Sequence, residues 1–226
     1  MRWPFRVTFA VLMMGPALGA AAPALAAPVR FTPGIGGVCQ SCDLSNGMLA
    51  DTRITDGVFS KSNFSRATMA RVTTKGSVFE DANFSRADLG YAKLADASFA
   101  RAQFAGANLE HADASRAHLE GADFTGANLK WASFAQAPLM GATFVSAHAE
   151  SANFVGALLK HTNFTYAHLR NADFSAADLT SADFSNATLQ GAVLNTARGL
   201  RQRQLRFACG DAATKLPPGI TLSACR

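Results

Sequence analysis

From Leu44 to Leu194 one position in five is apolar, with Thr74 the single exception, through 31 consecutive repeats without insertion or deletion. The series begins Leu44, Leu49, Ile54, Phe59, Phe64, Met69 and ends Phe184, Leu189, Leu194; thirteen of its members are Phe and thirteen are Leu. Two residues before each large side chain sits a small one. From Ala82 to Ala192 it is Ala at every repeat except Thr162. The residue between them is usually polar, as at Asn83, Asp88, Asn108, Asp113, Asp123 and Asn128.

Neither regular element can use this pattern. On an α-helix five residues advance about 500°, so successive repeats smear around the cylinder. On a straight strand an odd period sends alternate members to opposite faces. A chain that turns by about 90° once per repeat keeps both the large and the small residue inside. Four repeats then close a square, and 20-residue coils stack at the β spacing of about 4.8 Å. Thirty-one repeats give about 7–8 coils.

The tandem unit Ala-Asp/Asn-Leu/Phe-x-x, as in Ala87-Asp88-Leu89-Gly90-Tyr91 and Ala172-Asp173-Phe174-Ser175-Ala176, resembles the pentapeptide-repeat proteins. The resemblance implies an all-β fold, a right-handed quadrilateral β-helix. It is expected over residues 39–197, preceded by a lead-in at 27–38 and closed by a helical and loop cap at 198–226. Gly57, Val72 and Ser77 depart from the small Ala and Thr74 from the large residue, so the N-terminal coils are expected to be less regular.

Positions 20 apart share a wall. Phe64, Phe84, Phe104, Phe124, Phe144, Phe164 and Phe184 form an unbroken inward ladder. A second Phe column changes wall: Phe59, Phe79 and Phe99, then Phe134, Phe154 and Phe174. Ala114 leaves the changeover coil short of one large side chain, and looser packing or altered twist is expected there. Of the outward columns, Glu110, Lys130, Glu150 and Arg170 read as a charge ladder, and His148 and His168 as a stacked pair. Arg71, Tyr91, His111 and Trp131 line up as the candidate binding patch, because Trp, Tyr and Arg concentrate interface energy.

The seventeen Phe against two Tyr and two Trp follow from the repeat. The first 26 residues read as a secretory signal peptide: Arg2 and Arg6, an apolar run from Val7, then Ala24-Leu25-Ala26 before Ala27. Without Arg2 and Arg6 the chain carries 19 basic and 16 acidic side chains. That near balance disfavours a polybasic nucleic-acid or membrane binder, and no stable membrane anchor is expected after cleavage. The expected location is secreted, in the periplasm.

Cys39 and Cys42 precede the rod and Cys209 and Cys225 follow it, separated by roughly 35 Å on the coil count. A disulfide needs Cα atoms within about 7 Å. If all four are bonded within one chain, the pairs are therefore Cys39–Cys42 and Cys209–Cys225. Beyond Leu194 the segment from Gly199 to Cys209 reads as a short amphipathic helix with Leu205 and Phe207 on the last coil. Leu216-Pro217-Pro218-Gly219 reads as a return loop.

No hydrolase, zinc, phosphate-loop or dinucleotide motif occurs, so no catalytic residue, metal or cofactor is expected. The leading expectation is a non-catalytic secreted scaffold with a protein partner. One alternative is the DNA mimicry toward topoisomerases that the family resemblance implies for some members, which charge and export disfavour. The other is thiol redox activity through Cys39 and Cys42. An ice-binding wall would require a regular Thr column, which is absent from the outward positions.

Overall fold

The structure, a computed structural model, describes residues 37–225. The signal-peptide reading and most of the lead-in lie outside them. Each described coil passes through four parallel bridge columns. The first wall runs from Val38 through Val58 to Arg198, the second from Asp43 to Asp183, the third from Met48 to Thr188, and the fourth from Arg53 to Val193. Within these columns each bridge joins a residue to the one 20 further on, as in Asn83 to Gln103 and Asp88 to Asn108. Eight coils of 20 residues, 38–197, stack in this register. His118 and Pro138 form no bridge, because proline has no N–H to donate. Leu119 N–H still reaches the Pro138 carbonyl at 2.9 Å, so the ladder resumes at once.

The corner explains the period. Phe64 C=O accepts the N–H of Ala67 at 3.0 Å, and Arg66 between them has φ of 59°. Positive φ at the third residue of a four-residue turn is the type II requirement. The same position has positive φ in every repeat from Ser41 to Gly191. The turn swings the chain onto the next wall and points the large residue and the small one after it inward. Alanine at the small position leaves the interior for the ring, and Ala82 through Ala192 are almost wholly buried.

The polar residue before each large one also has a local task. The N–H just past the large residue finds no backbone partner in the turn, and the Asn or Asp side chain accepts it. Ser65 N–H donates to Asn63 Oδ1 at 3.0 Å, Gly90 N–H to Asp88 Oδ1 at 3.1 Å, and Ser175 N–H to Asp173 Oδ1 at 2.8 Å. These Asx turns account for the Asp and Asn richness of the chain without invoking a ligand.

Two corners of the N-terminal coils differ, in keeping with the irregularity expected there. Ser77 Oγ accepts from Gly57 N–H at 3.1 Å and donates to Ile54 C=O at 3.1 Å. Ser62 Oγ bridges Cys42 N–H and Cys39 C=O in the same way, at 3.1 and 2.6 Å. A buried hydroxyl from the coil above thus replaces the direct turn bond and leaves no group unsatisfied.

Inside, the second-wall Phe ladder stacks at centroid distances near 4.8–5.0 Å, as in Phe104–Phe124 at 4.9 Å and Phe124–Phe144 at 4.8 Å. In the lower coils its rings meet those of the adjacent first wall, Phe79 against Phe84 at 64°. In the upper coils they meet the opposite fourth wall edge-on, Phe134 against Phe144 at 86°. The changeover coil keeps its hydrogen bonds, with Ala114 N–H to Ser133 C=O at 2.8 Å, and Ala114 is buried. The break in the bridge columns comes one coil later, at Pro138.

The corner conformation can be tested at Gly126, whose φ is 63° and whose absent Cβ would meet nothing within 4 Å. Only backbone sterics then act. Gly126→Val is expected to cost about 1–2 kcal/mol, lowering the melting temperature by a few degrees. Gly126→Asn should cost less than half as much, since Asn tolerates this region. Equal melting temperatures for the two variants would refute the turn assignment.

The cap differs from the expected amphipathic helix. Between Gly199 and Cys209 the one helical element is a 3₁₀ turn, Gln202–Leu205. The segment's hydrogen-bonding groups are used by the coil below instead, Phe184 N–H to Gln204 C=O and Asn186 N–H to Arg206 C=O, both at 2.9 Å. The cap is thus a ninth, irregular coil. Gln204 is buried and its Nε2 donates to the Leu179 and Ala182 carbonyls at 2.7 and 2.8 Å. Thr188 bridges Cys209 and Val193 bridges Lys215, offsets of 21 and 22 in place of 20. The inserted residues shift the phase, so Leu205 takes the inward position at 3% exposure. Phe207, expected on the last coil, takes the corner position instead, with φ of 57° and 79% exposure. The return loop turns at Gly219 and lays β2 (Ser223–Ala224) parallel to β1 (Cys209–Gly210). Cys39 and Cys42, and Cys209 and Cys225, lie at disulfide distance, with Cα separations of 5.6 and 4.8 Å. These are the two pairs that the rod length allows to meet within one chain.

Candidate functional site

Between the third and fourth walls, successive corners bring Asp51, Arg71, Tyr91, His111, Trp131, Ser151 and Asn171 into one column. The positive-φ corner points each side chain away from the coil. Tyr91 and Trp131 are 60% and 51% exposed. Their rings do not lie flat on the rod. Tyr91 stacks on His111 at 4.8 Å and 14°, and His111 on Trp131 at 5.0 Å and 5°. The rings spaced one rung apart therefore show their edges outward as a continuous aromatic strip.

Arg71, the fourth residue of the expected patch, is turned out of the stack. Its Nε and Nη2 donate to the two carboxylate oxygens of Asp51, both at 2.6 Å. This fork holds the Asp51 carboxyl below the usual carboxylate range. Arg101 with Asp81 and Arg116 with Asp96 repeat the arrangement on other corners. These pairs were not anticipated from the sequence, although acid and Arg 20 residues apart at a corner phase was the available signal. All are exposed and contribute little to stability.

The expected charge ladder does not form. Glu110 Oε2 instead accepts from Asn128 at 3.3 Å, and Glu150 Oε1 lies 4.0 Å from His148 Nδ1. The carboxylates reach sideways across the third wall in place of along the axis. His148 and His168 stack at 4.8 Å and 3° in the third-wall column. Beside the aromatic strip lie Asp88, Asn108 and Asn128, joined by Asn108 Nδ2 to Asp88 at 2.9 Å and Asn128 Nδ2 to Asn108 at 3.0 Å.

Cys39 is 5% exposed and begins the first coil beside Cys42, without a surrounding βαβ unit. A hollow of about 900 Å³ opens at the cap, lined in part by Ser181, Asp183, Arg203, Arg206, Phe207 and Ser223. No described helix is long and apolar enough to cross a membrane.

Two family models match the chain. Pentapeptide repeats (8 copies) covers residues 62–101, 82–121 and 102–139, and Pentapeptide repeat region covers 127–198. Among solved structures, one of QnrB1, a plasmid-mediated fluoroquinolone resistance protein, superposes with a TM-score of 0.63 at 19% identity, over 78% of this chain and 91% of that one. HetL, a pentapeptide repeat protein involved in heterocyst differentiation regulation from the cyanobacterium Nostoc sp. strain PCC 7120, gives 0.47 at 21% identity, over 82% and 87%. No curated protein sequence matches the chain.

Proposed function

The chain belongs to the pentapeptide-repeat proteins, with their right-handed quadrilateral β-helix, and from that premise we propose that it is a non-catalytic scaffold whose corner strip docks a protein partner. The observation that carries this reading is the exposed stack of Tyr91, His111 and Trp131. Stacking on one another returns only a modest gain for three rings held half-exposed at positive-φ corners, where small residues fit better. A partner surface does gain, because aromatic edges on a rigid frame bury apolar area at small entropy cost. The repeat interior is filled by Phe stacks, Leu and Ala, which supports a role for the walls and not for an internal pocket.

The Asp88, Asn108 and Asn128 row beside the strip supplies polar rim groups. The expected export to an oxidising compartment belongs to the same proposal, supported by the two cysteine pairs within reach of each other. Topoisomerase mimicry is not favoured: Asp51, Asp81 and Asp96 are each forked by an Arg, which interrupts the acidic display such mimicry needs.

Tyr91→Ala combined with Trp131→Ala is the test. Both side chains are outside, so the melting temperature should stay within a few degrees. A photo-crosslinker placed at Ser151, next in the column, should capture one partner from the exported fraction, and the double variant should reduce that capture at least tenfold. Unchanged capture with an intact fold would place the docking wall elsewhere. Collapse of the double variant would show that the phase of these corners is wrong.

A further inference from the structure

Charge along the chain is segregated. Residues 39–197 hold 12 basic and 15 acidic side chains, whereas residues 198–226 hold six basic and one acidic. The cap is thus strongly cationic on a rod that is slightly anionic. Within it, the turn Gln202–Leu205 is pinned downward by the buried Gln204 and Leu205. Arg203 within it and Arg201 and Arg206 beside it are exposed, and so is Phe207, the most exposed large apolar side chain among the described residues. Arg206 Cζ lies 6.0 Å from the Phe207 ring centroid, and Arg203, Arg206 and Phe207 border the same open hollow. The positive-φ corner that the phase shift imposes on Phe207 is what thrusts the ring out.

We propose that this end of the rod docks on an anionic lipid surface, with the Arg201, Arg203 and Arg206 side chains over the headgroups and Phe207 inserted at the boundary. A projecting ring flanked by cations matches the interfacial chemistry of peripheral membrane binders, in which apolar insertion and attraction to anionic headgroups add. A second copy of the cap fits poorly, because two ends of the same strong positive charge repel. An acidic protein would satisfy the arginines but gives no reason for a bare exposed ring among them. The attachment is reversible and needs no spanning segment, so it is distinct from an anchor. It also leaves the corner strip free along the rod's side.

The experiment is co-sedimentation of the chain from Ala27 onward with phosphatidylglycerol–phosphatidylcholine vesicles, against phosphatidylcholine alone. Binding is expected only to the anionic vesicles and should weaken as salt is raised. Each arginine is worth about fivefold in partitioning, so Arg201→Gln with Arg203→Gln and Arg206→Gln should lose roughly 100-fold. Phe207→Ser should lose about tenfold. Both variants change exposed side chains, and circular dichroism melts confirm the fold. Should the triple variant unfold, the salt series and Phe207→Ser still decide. The proposal is overturned by no binding to anionic vesicles, by equal binding to neutral ones, or by indifference to both variants. Equally tight, Phe207-independent binding to polyglutamate or duplex DNA would overturn it in favour of a general polyanion site. Concentration-dependent dimerisation abolished by Phe207→Ser would make the cap a self-interface instead.

Discussion

Phe124→Asp is expected to abolish the folded rod. Phe124 is fully buried, stacked between Phe104 and Phe144 at 4.9 and 4.8 Å, with Phe134 edge-on at 5.5 Å. Removing the ring costs about 3–5 kcal/mol in lost burial and cavity. The carboxyl that replaces it has no hydrogen-bond partner within the ring stack, and burying it even when neutral costs about 1–3 kcal/mol. Holding it protonated at neutral pH, about three units above its ordinary titration, adds about 4 kcal/mol. The total is roughly 10 kcal/mol, comparable with the whole stability of a domain. A solenoid has only nearest-neighbour interfaces, so a defect at mid-rod also uncouples the coils above from those below. Far-ultraviolet circular dichroism should lose its β signal, and limited proteolysis should cut within coils that resist cleavage in the parent. Phe124→Leu, which keeps the burial, should fold with a lowered melting temperature. An unchanged melt for Phe124→Asp would overturn the inward assignment of the whole series, because one phase sets every member.

The second large effect is expected at the cap. Cys225 follows β2, whose two residues pair with β1, and Cys225 N–H donates to Gly210 C=O at 3.0 Å. A two-residue ladder cannot hold a chain end against its entropy. A bond between Cys209 and Cys225 closes a loop with a sequence separation of 16, worth about 3 kcal/mol on chain entropy. Cys209→Ser with Cys225→Ser should therefore free the return loop. Amide exchange should accelerate over 209–225, while the eight regular coils keep their protection and melt within a few degrees of the parent. The equivalent change at Cys39 and Cys42, only three residues apart, should cost less, about 2 kcal/mol. Unaltered exchange at the cap would show that Leu205, Gln204 and the bridges of Cys209 and Lys215 to the coil below hold it without the bond.

The sequence by itself determined the rod. A five-residue period admits one repeated backbone turn, and that turn decides for all 31 repeats which side chain is inside. The Phe ladders, the buried Ala column and the alignment of Tyr91, His111 and Trp131 all follow from this phase. Each rests on a hard steric or burial term repeated identically, so no choice is left to context. The tertiary structure decided what happens where that repetition stops or energies are small. Arg71 chose Asp51 over the ring stack, and Glu110 and Glu150 chose neighbours across the wall over those along it. Such exposed contacts differ by only tenths of a kcal/mol, and the winner depends on every neighbour on the surface. Past residue 197 the inserted residues moved the phase, so Leu205 went in and Phe207 went out. Helical spacing in that segment was outweighed because the last coil's open N–H groups needed acceptors, and a continuous α-helix would spend those carbonyls on itself, whereas a coil laid over them with a single 3₁₀ turn presents Gln204 and Arg206 carbonyls to Phe184 and Asn186.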